Sequence, residues 1–150
     1  MKKVLFILIA GMSFVACKTN DKKAPGIELS KDDREKAIKD SANFTSIQWL
    51  DSTYKDLGQI KEGKQVEVAY RFKNSGTKNL VISDVTASCG CTIPEKPEQA
   101  FAPGEDGIIK AKFDSRNKKG EVRKSVYVTA NTNPNSQELI FRADIITDKK

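Results

Sequence analysis

At 150 residues, with 26 Lys and Arg against 20 Asp and Glu and no His, the chain has room for one folded domain and carries a formal charge of +6. Hydrophobic residues make up 38% and charged residues 31%, the balance of a soluble globular chain with some polar excess. The lack of histidine excludes Ser-His-Asp and Cys-His catalysis, and it leaves zinc sites of the usual kind without their imidazole ligands.

The first residues read as an export signal. Lys2 and Lys3 form a positive start, and an apolar run follows from Val4 to Ala10 and on to Phe14. It is shorter than the roughly 20 apolar residues that span a bilayer. Phe14-Val15-Ala16-Cys17 resembles a lipobox, in which a small residue precedes a cysteine that receives diacylglycerol. Residues 1–16 are therefore expected to be cleaved, leaving Cys17 as an acylated N-terminus that anchors the chain in a membrane of the cell envelope. Cleavage lowers the charge from +6 to +4, because Lys2 and Lys3 are lost and no acids are. The remaining bases alternate with acids and do not cluster around aromatics, so no nucleic-acid partner is expected.

Residues 17–42 have the polar composition of a linker. Ser30 and Asp33 resemble an N-cap pair, and Arg34, Glu35 and Lys39 offer charges at helical spacing, but no apolar stripe would hold such a helix down.

From residue 43 to 147 the apolar residues recur every second position, as in strands with one buried face. Ile47 and Trp49 begin the pattern. Val66, Val68, Tyr70 and Phe72 follow, closed by Asn74-Ser75-Gly76, and then Leu80 and Ile82. After Ala102-Pro103-Gly104 come Ile109, Ala111 and Phe113, and after Asn117 to Gly120 come Val122, Val126, Val128 and Ala130. Asn133-Pro134-Asn135 precedes the last strand, in which Leu139, Phe141, Ala143 and Ile145 alternate with polar residues. About seven short strands with this turn spacing predict an all-β, immunoglobulin-like antiparallel sandwich, with residues 148–150 as a tail. Tyr70, Phe72, Phe113 and Phe141 fall on the apolar faces and are assigned to the core rather than to a sugar-stacking platform; Trp49 fits either role.

Tyr54 to Gly63, Phe72 to Gly76, Leu80-Val81-Ile82 and above all Ser88-Cys89-Gly90-Cys91-Thr92 resemble the family called domain of unknown function 1573. Ala102 to Glu105, Phe113-Asp114-Ser115 and Asn131 to Pro134 extend the resemblance over nearly all of 54–145, with Leu57 standing where the family commonly has Phe. The resemblance implies an immunoglobulin-type module related to Hydin and major sperm protein domains, often found on lipoproteins of Gram-negative bacteria, and implies no activity.

Cys89-Gly90-Cys91 is the one chemically distinctive motif of the domain. In a strand, residues two apart share a face at about 6.6 Å, and bending at Gly90 would allow a disulfide. Such a three-residue loop stabilises by only about 1.6 kcal/mol. The pair is read first as a local disulfide, second as an exchanging dithiol and third as a soft-metal site for Cu(I). Acylation removes Cys17 from the count, so Cys89 is expected to pair with Cys91.

The expected function is thus that of a lipid-anchored binding or scaffolding module, with no catalytic residues and neither cofactor nor resident metal. The alternative is an envelope lipoprotein that handles redox equivalents or soft metals through Cys89 and Cys91. Its expected partners are the membrane, through the lipid, and an envelope protein or glycan; the protein itself is expected to be a monomer. Asp40-Ser41-Ala42 and Asp51-Ser52-Thr53 resemble a bacterial O-glycosylation tripeptide, which makes Ser41 and Ser52 candidate sites.

Overall fold

The computed structural model describes residues 29–147. The expected signal, lipobox, Cys17 and tail lie outside them. Eight strands form two four-stranded sheets packed face to face. They are β1 (Ile47–Trp49), β2 (Tyr54–Lys61), β3 (Gln65–Asn74), β4 (Ile82–Ala87), β5 (Thr92–Glu95), β6 (Asp106–Asp114), β7 (Gly120–Ala130) and β8 (Ser136–Ile146). The first sheet has the order β1-β3-β6-β5 and the second β2-β8-β7-β4. All pairings are antiparallel except β2 with β8, which is parallel.

The two-residue period fills the space between the sheets. Val68, Tyr70 and Phe72 of β3 and Ile109, Ala111 and Phe113 of β6 face Val126 and Val128 of β7 and Leu139, Phe141, Ala143 and Ile145 of β8, all buried. A fully buried Val, Leu or Phe contributes about 1.5–3 kcal/mol through its removal from water, so this layer supplies most of the driving force. Phe113 and Phe141 meet across the sheets with ring centroids 5.3 Å apart. The Tyr70 hydroxyl crosses the core to donate to the Ile140 carbonyl at 2.8 Å, and burial pushes its pKa above the usual tyrosine value. Gly107 is required by packing: a Cβ there would come within 2.3 Å of Phe72 Cζ and 2.6 Å of Phe101 Cε1.

Eight strands stand where about seven were expected. Two strands, β2 and the four-residue β5, fall outside the runs read from the sequence; in β2 the alternation is broken by Gly58 at φ +65 and by a register shift between Asp56 and Gln59. Leu80, expected within a strand, forms only an isolated bridge with Phe101 ahead of β4.

The stretch expected as a linker carries a helix, α1 (Lys31–Lys39). The Ser30 hydroxyl caps it by accepting from the Asp33 amide and donating to the Asp33 carboxylate. What docks α1 is an arginine rather than an apolar stripe. Arg34 is 2% exposed and donates to the carbonyls of Leu29, Ile82, Pro97 and Glu98 and to the Glu98 carboxylate. Ahead of α1, the Leu29 amide also donates to the Glu98 carbonyl, so among the described residues contacts with the sandwich include part of the stretch expected as linker.

Two buried asparagines pin loops. Asn74 accepts from Thr45 Oγ1 and the Gly76 amide and donates to the carbonyls of Lys78 and Phe101. Asn131 accepts from the Val81 amide and donates to the carbonyls of Asn43 and Asn79.

Candidate functional site

Cys89, Gly90 and Cys91 form the turn that carries the chain from β4 in one sheet to β5 in the other. The strand geometry assumed from the sequence does not apply there. The turn brings the two Cα atoms to 5.3 Å, inside disulfide range, and the structure joins the sulfurs. Joined in this way, they carry no thiolate and offer no Cu(I) ligand. Cys89 Sγ lies 3.6 Å from Thr92 Oγ1, and because a disulfide sulfur has no proton, the hydroxyl is the donor. Thr92 is 3% exposed. On the Cys91 side, a groove of about 410 Å³ is bordered by Gly90, Cys91, Ile93, Phe113, Lys112 and Arg116. Ile93 stands at this groove 66% exposed.

The outer face of the second sheet carries a different feature. Leu139 and Phe141 of β8 and Val126 and Val128 of β7 point into the core, so the residues between them point out. The register sets Tyr54 beside Ile140, Ile140 beside Ser125, and Tyr127 between Glu138 and Thr86. Tyr54 is 45% exposed and Tyr127 39%, so two tyrosines flank Ile140 on a diagonal across three strands. Arg123 and Arg142 occupy the next row. Arg142 holds Asp56 at 2.8 Å and Glu121 at 2.7 Å, which raises its own pKa and lowers that of Glu121, while Asp56 is lowered first by the Gly58 amide and then by Arg142.

The perturbed carboxylates all move in one direction. Arg71 holds Asp51 well below the usual carboxylate range through side-chain and backbone hydrogen bonds, with Lys55 adding to the effect. Arg116 holds Asp114 at about 2. Lys112 lowers Glu95. Among the described residues, no cluster of three or more His, Cys, Asp or Glu could hold a metal ion, and no helix is long and apolar enough to cross a membrane.

Of the residues singled out from the sequence, Cys89, Gly90 and Cys91 come together in one turn, and Gly90 and Cys91 border the groove. Ser41 is exposed at the start of a 3-10 turn, and Ser52 is exposed with its hydroxyl accepting from the Tyr54 amide. Trp49 packs edge-on against Phe72 at 5.8 Å, and its indole nitrogen is buried without a partner. The outward tyrosine face was missed. Its trace in the sequence is that Val126-Tyr127-Val128 and Leu139-Ile140-Phe141 run apolar through positions that strict alternation would make polar.

Two four-stranded sheets packed around one core, with the first and second strands divided between them, define an immunoglobulin-like sandwich. The chain belongs to the family described as "Protein of unknown function (DUF1573)", whose model matches residues 47–145. Solved structures agree on the fold. A protein of unknown function from Porphyromonas gingivalis W83 superposes with a TM-score of 0.59 at 18% identity, over 70% of this chain and 49% of that one. The ASH/PapD-like domain 7 of human CEP192 gives 0.52 at 10% identity, over 93% of this chain and all of the domain. The secreted serine protease VesC of Vibrio cholerae gives 0.50 at 10% identity, with 71% of this chain covering 24% of the protease. This chain thus spans about half of the Porphyromonas protein and a quarter of VesC. No curated protein matches it.

Proposed function

We propose that this chain is a lipid-anchored module of the bacterial cell envelope that works by binding a partner protein and not by catalysis. The observation that carries the reading is the outer face of the second sheet, where Tyr54, Ile140 and Tyr127 lie together beside Arg123 and Arg142. Tyrosine and arginine are the residues most enriched at the centres of protein interfaces, because they bring large contact area and directed hydrogen bonds at modest entropic cost. The face is an open sheet surface, which suits a protein better than the enclosed pockets that small molecules need.

The carboxylates support the non-catalytic part. Asp51, Asp56, Glu95, Asp114 and Glu121 are all held in their charged form by surface hydrogen bonds and ion pairs, Asp56 first of all by the Gly58 amide. A general acid or base is instead poised near the working pH. The anchoring part rests on the apolar run ahead of Ala16-Cys17.

Quantitative capture from envelope extract, using the full chain and its Tyr54→Ala/Tyr127→Ala variant, tests the binding face. A hot-spot tyrosine worth about 2 kcal/mol corresponds to roughly 30-fold in affinity, so the double variant should lose its partner while its circular dichroism is unchanged. Equal capture by both proteins refutes the face. Tyrosine-dependent binding to purified envelope glycan, with no protein retained, would replace the protein partner by a glycan. Cys17→Ser should move the protein from the membrane to the soluble fraction, and unchanged detergent partitioning would refute the anchor.

A further inference from the structure

We propose that Cys89–Cys91 is a thiol-exchange site that takes two electrons from a dithiol protein, with Cys91 as the sulfur attacked and Cys89 as the leaving group. Nothing in the binding reading requires this. Four observations carry it.

The pair sits in a turn outside the strands, so its reduction leaves both ladders intact, and a loop of three residues makes a weak staple. Gly90 is exposed, with open space where a Cβ would stand, so the turn can be approached from outside. The other two observations give the exchange a direction. In thiol–disulfide exchange, the incoming, attacked and leaving sulfurs lie in line, so attack on Cys91 needs access from the side away from Cys89. Both cysteines are half-buried and Cys91 packs with one side against the core, but the groove borders Cys91 and not Cys89. Thr92 Oγ1 donates to Cys89 Sγ, and a hydrogen bond to sulfur strengthens as that sulfur gains negative charge. Cys89 is thereby the better leaving thiolate. Lys112 and Arg116 also line the groove but hold Glu95 and Asp114, so access and leaving-group stabilisation set the polarity rather than net charge.

The chemistry balances as follows. A thiolate of the partner attacks Cys91 Sγ, forming a mixed disulfide while the Cys89–Cys91 bond breaks and its electron pair leaves on Cys89, which takes up a proton. The partner's second thiolate attacks its own sulfur in the mixed disulfide and expels Cys91 as a thiolate, which is protonated in turn. The partner ends as a disulfide and this chain as two thiols, with two electrons and two protons transferred.

The full chain tests this with dithiothreitol and thioredoxin as reductants. Thioredoxin should reduce the native protein without denaturant, and resistance to it overturns the exchange role. Thr92→Val should slow reduction by dithiothreitol roughly fivefold, the worth of one ordinary hydrogen bond, while Thr92→Ser should restore the rate. Equal rates for all three proteins overturn the assignment of Cys89 as the leaving group. With Cys17→Ser added to each, so that one thiol remains, the thiol of Cys89→Ser should react with 5,5′-dithiobis(2-nitrobenzoate) faster than that of Cys91→Ser. The two are compared as pH-independent rate constants so that thiolate populations drop out. The reverse order overturns Cys91 as the sulfur attacked.

Discussion

Replacing Arg34 should release α1 from the sandwich without unfolding the sandwich itself. A nine-residue helix of this polar composition does not persist alone in water, so its protection from exchange depends on docking. The guanidinium holds Leu29 O at 3.2 Å, Ile82 O at 2.8 Å and Pro97 O at 3.1 Å, together with both the carbonyl and the carboxylate of Glu98. Hydrogen bonds to a charged group are worth about 1.5–3 kcal/mol each when both partners stay buried. That sum is not reached here, because the Glu98 side chain is 64% exposed and water can reach the freed carbonyls once the helix lifts. The Ile82 carbonyl is the deeply buried acceptor, which leaves a net loss of about 2–4 kcal/mol. Arg34→Met keeps much of the aliphatic stem and removes every donor, so it separates hydrogen bonding from packing. Hydrogen exchange should show residues 31–39 unprotected in Arg34→Met while β3, β6, β7 and β8 stay protected. Wild-type protection of the helix, with stability unchanged in urea, would refute the arginine latch.

Asn131→Ala leaves the Val81 amide and the carbonyls of Asn43 and Asn79 without their partner, so urea denaturation should show a loss of about 2–4 kcal/mol. Gly107→Ala forces a methyl group into the Phe72 and Phe101 rings and should cost about 1–3 kcal/mol by overpacking, read as a lowered thermal midpoint. The folded-state pKa of Asp51 lies below its unfolded value, so its contribution is full above about pH 4 and is lost as the pH falls toward the folded value. Asp51→Asn should therefore be less stable than wild type at neutral pH, and the difference should shrink in acid, as read from urea midpoints across that range.

The sandwich was legible in the sequence because burial in β3, β6, β7 and β8 follows the two-residue period, from Val68 and Tyr70 through Ile109 and Phe113 to Phe141 and Ala143. β2 was not, since a positive-φ glycine and a register shift interrupt its alternation. The docked helix escaped for a different reason: hydrophobic patterning detects helices held by apolar stripes, whereas α1 is held by Arg34 on carbonyls as distant in sequence as Glu98. Pairing of Cys89 with Cys91 could be expected from the inventory of thiols, but their place in a turn beside a groove depends on where β4 ends. The tyrosine face needed the strand register, because Tyr54 and Ile140 are far apart in sequence and neighbours only through the parallel β2–β8 pairing.

The central claim, that the outer face of the second sheet meets a protein in the envelope, is tested most directly by site-specific photo-cross-linking in intact cells of the native host. A photoreactive residue at Thr86 borders the tyrosine face, and one at Glu67 lies on the outer face of the first sheet. The account predicts a discrete protein adduct from position 86 that disappears with Tyr54→Ala and is absent from position 67. The same adducts from both positions, or an adduct at 86 indifferent to Tyr54, would contradict it.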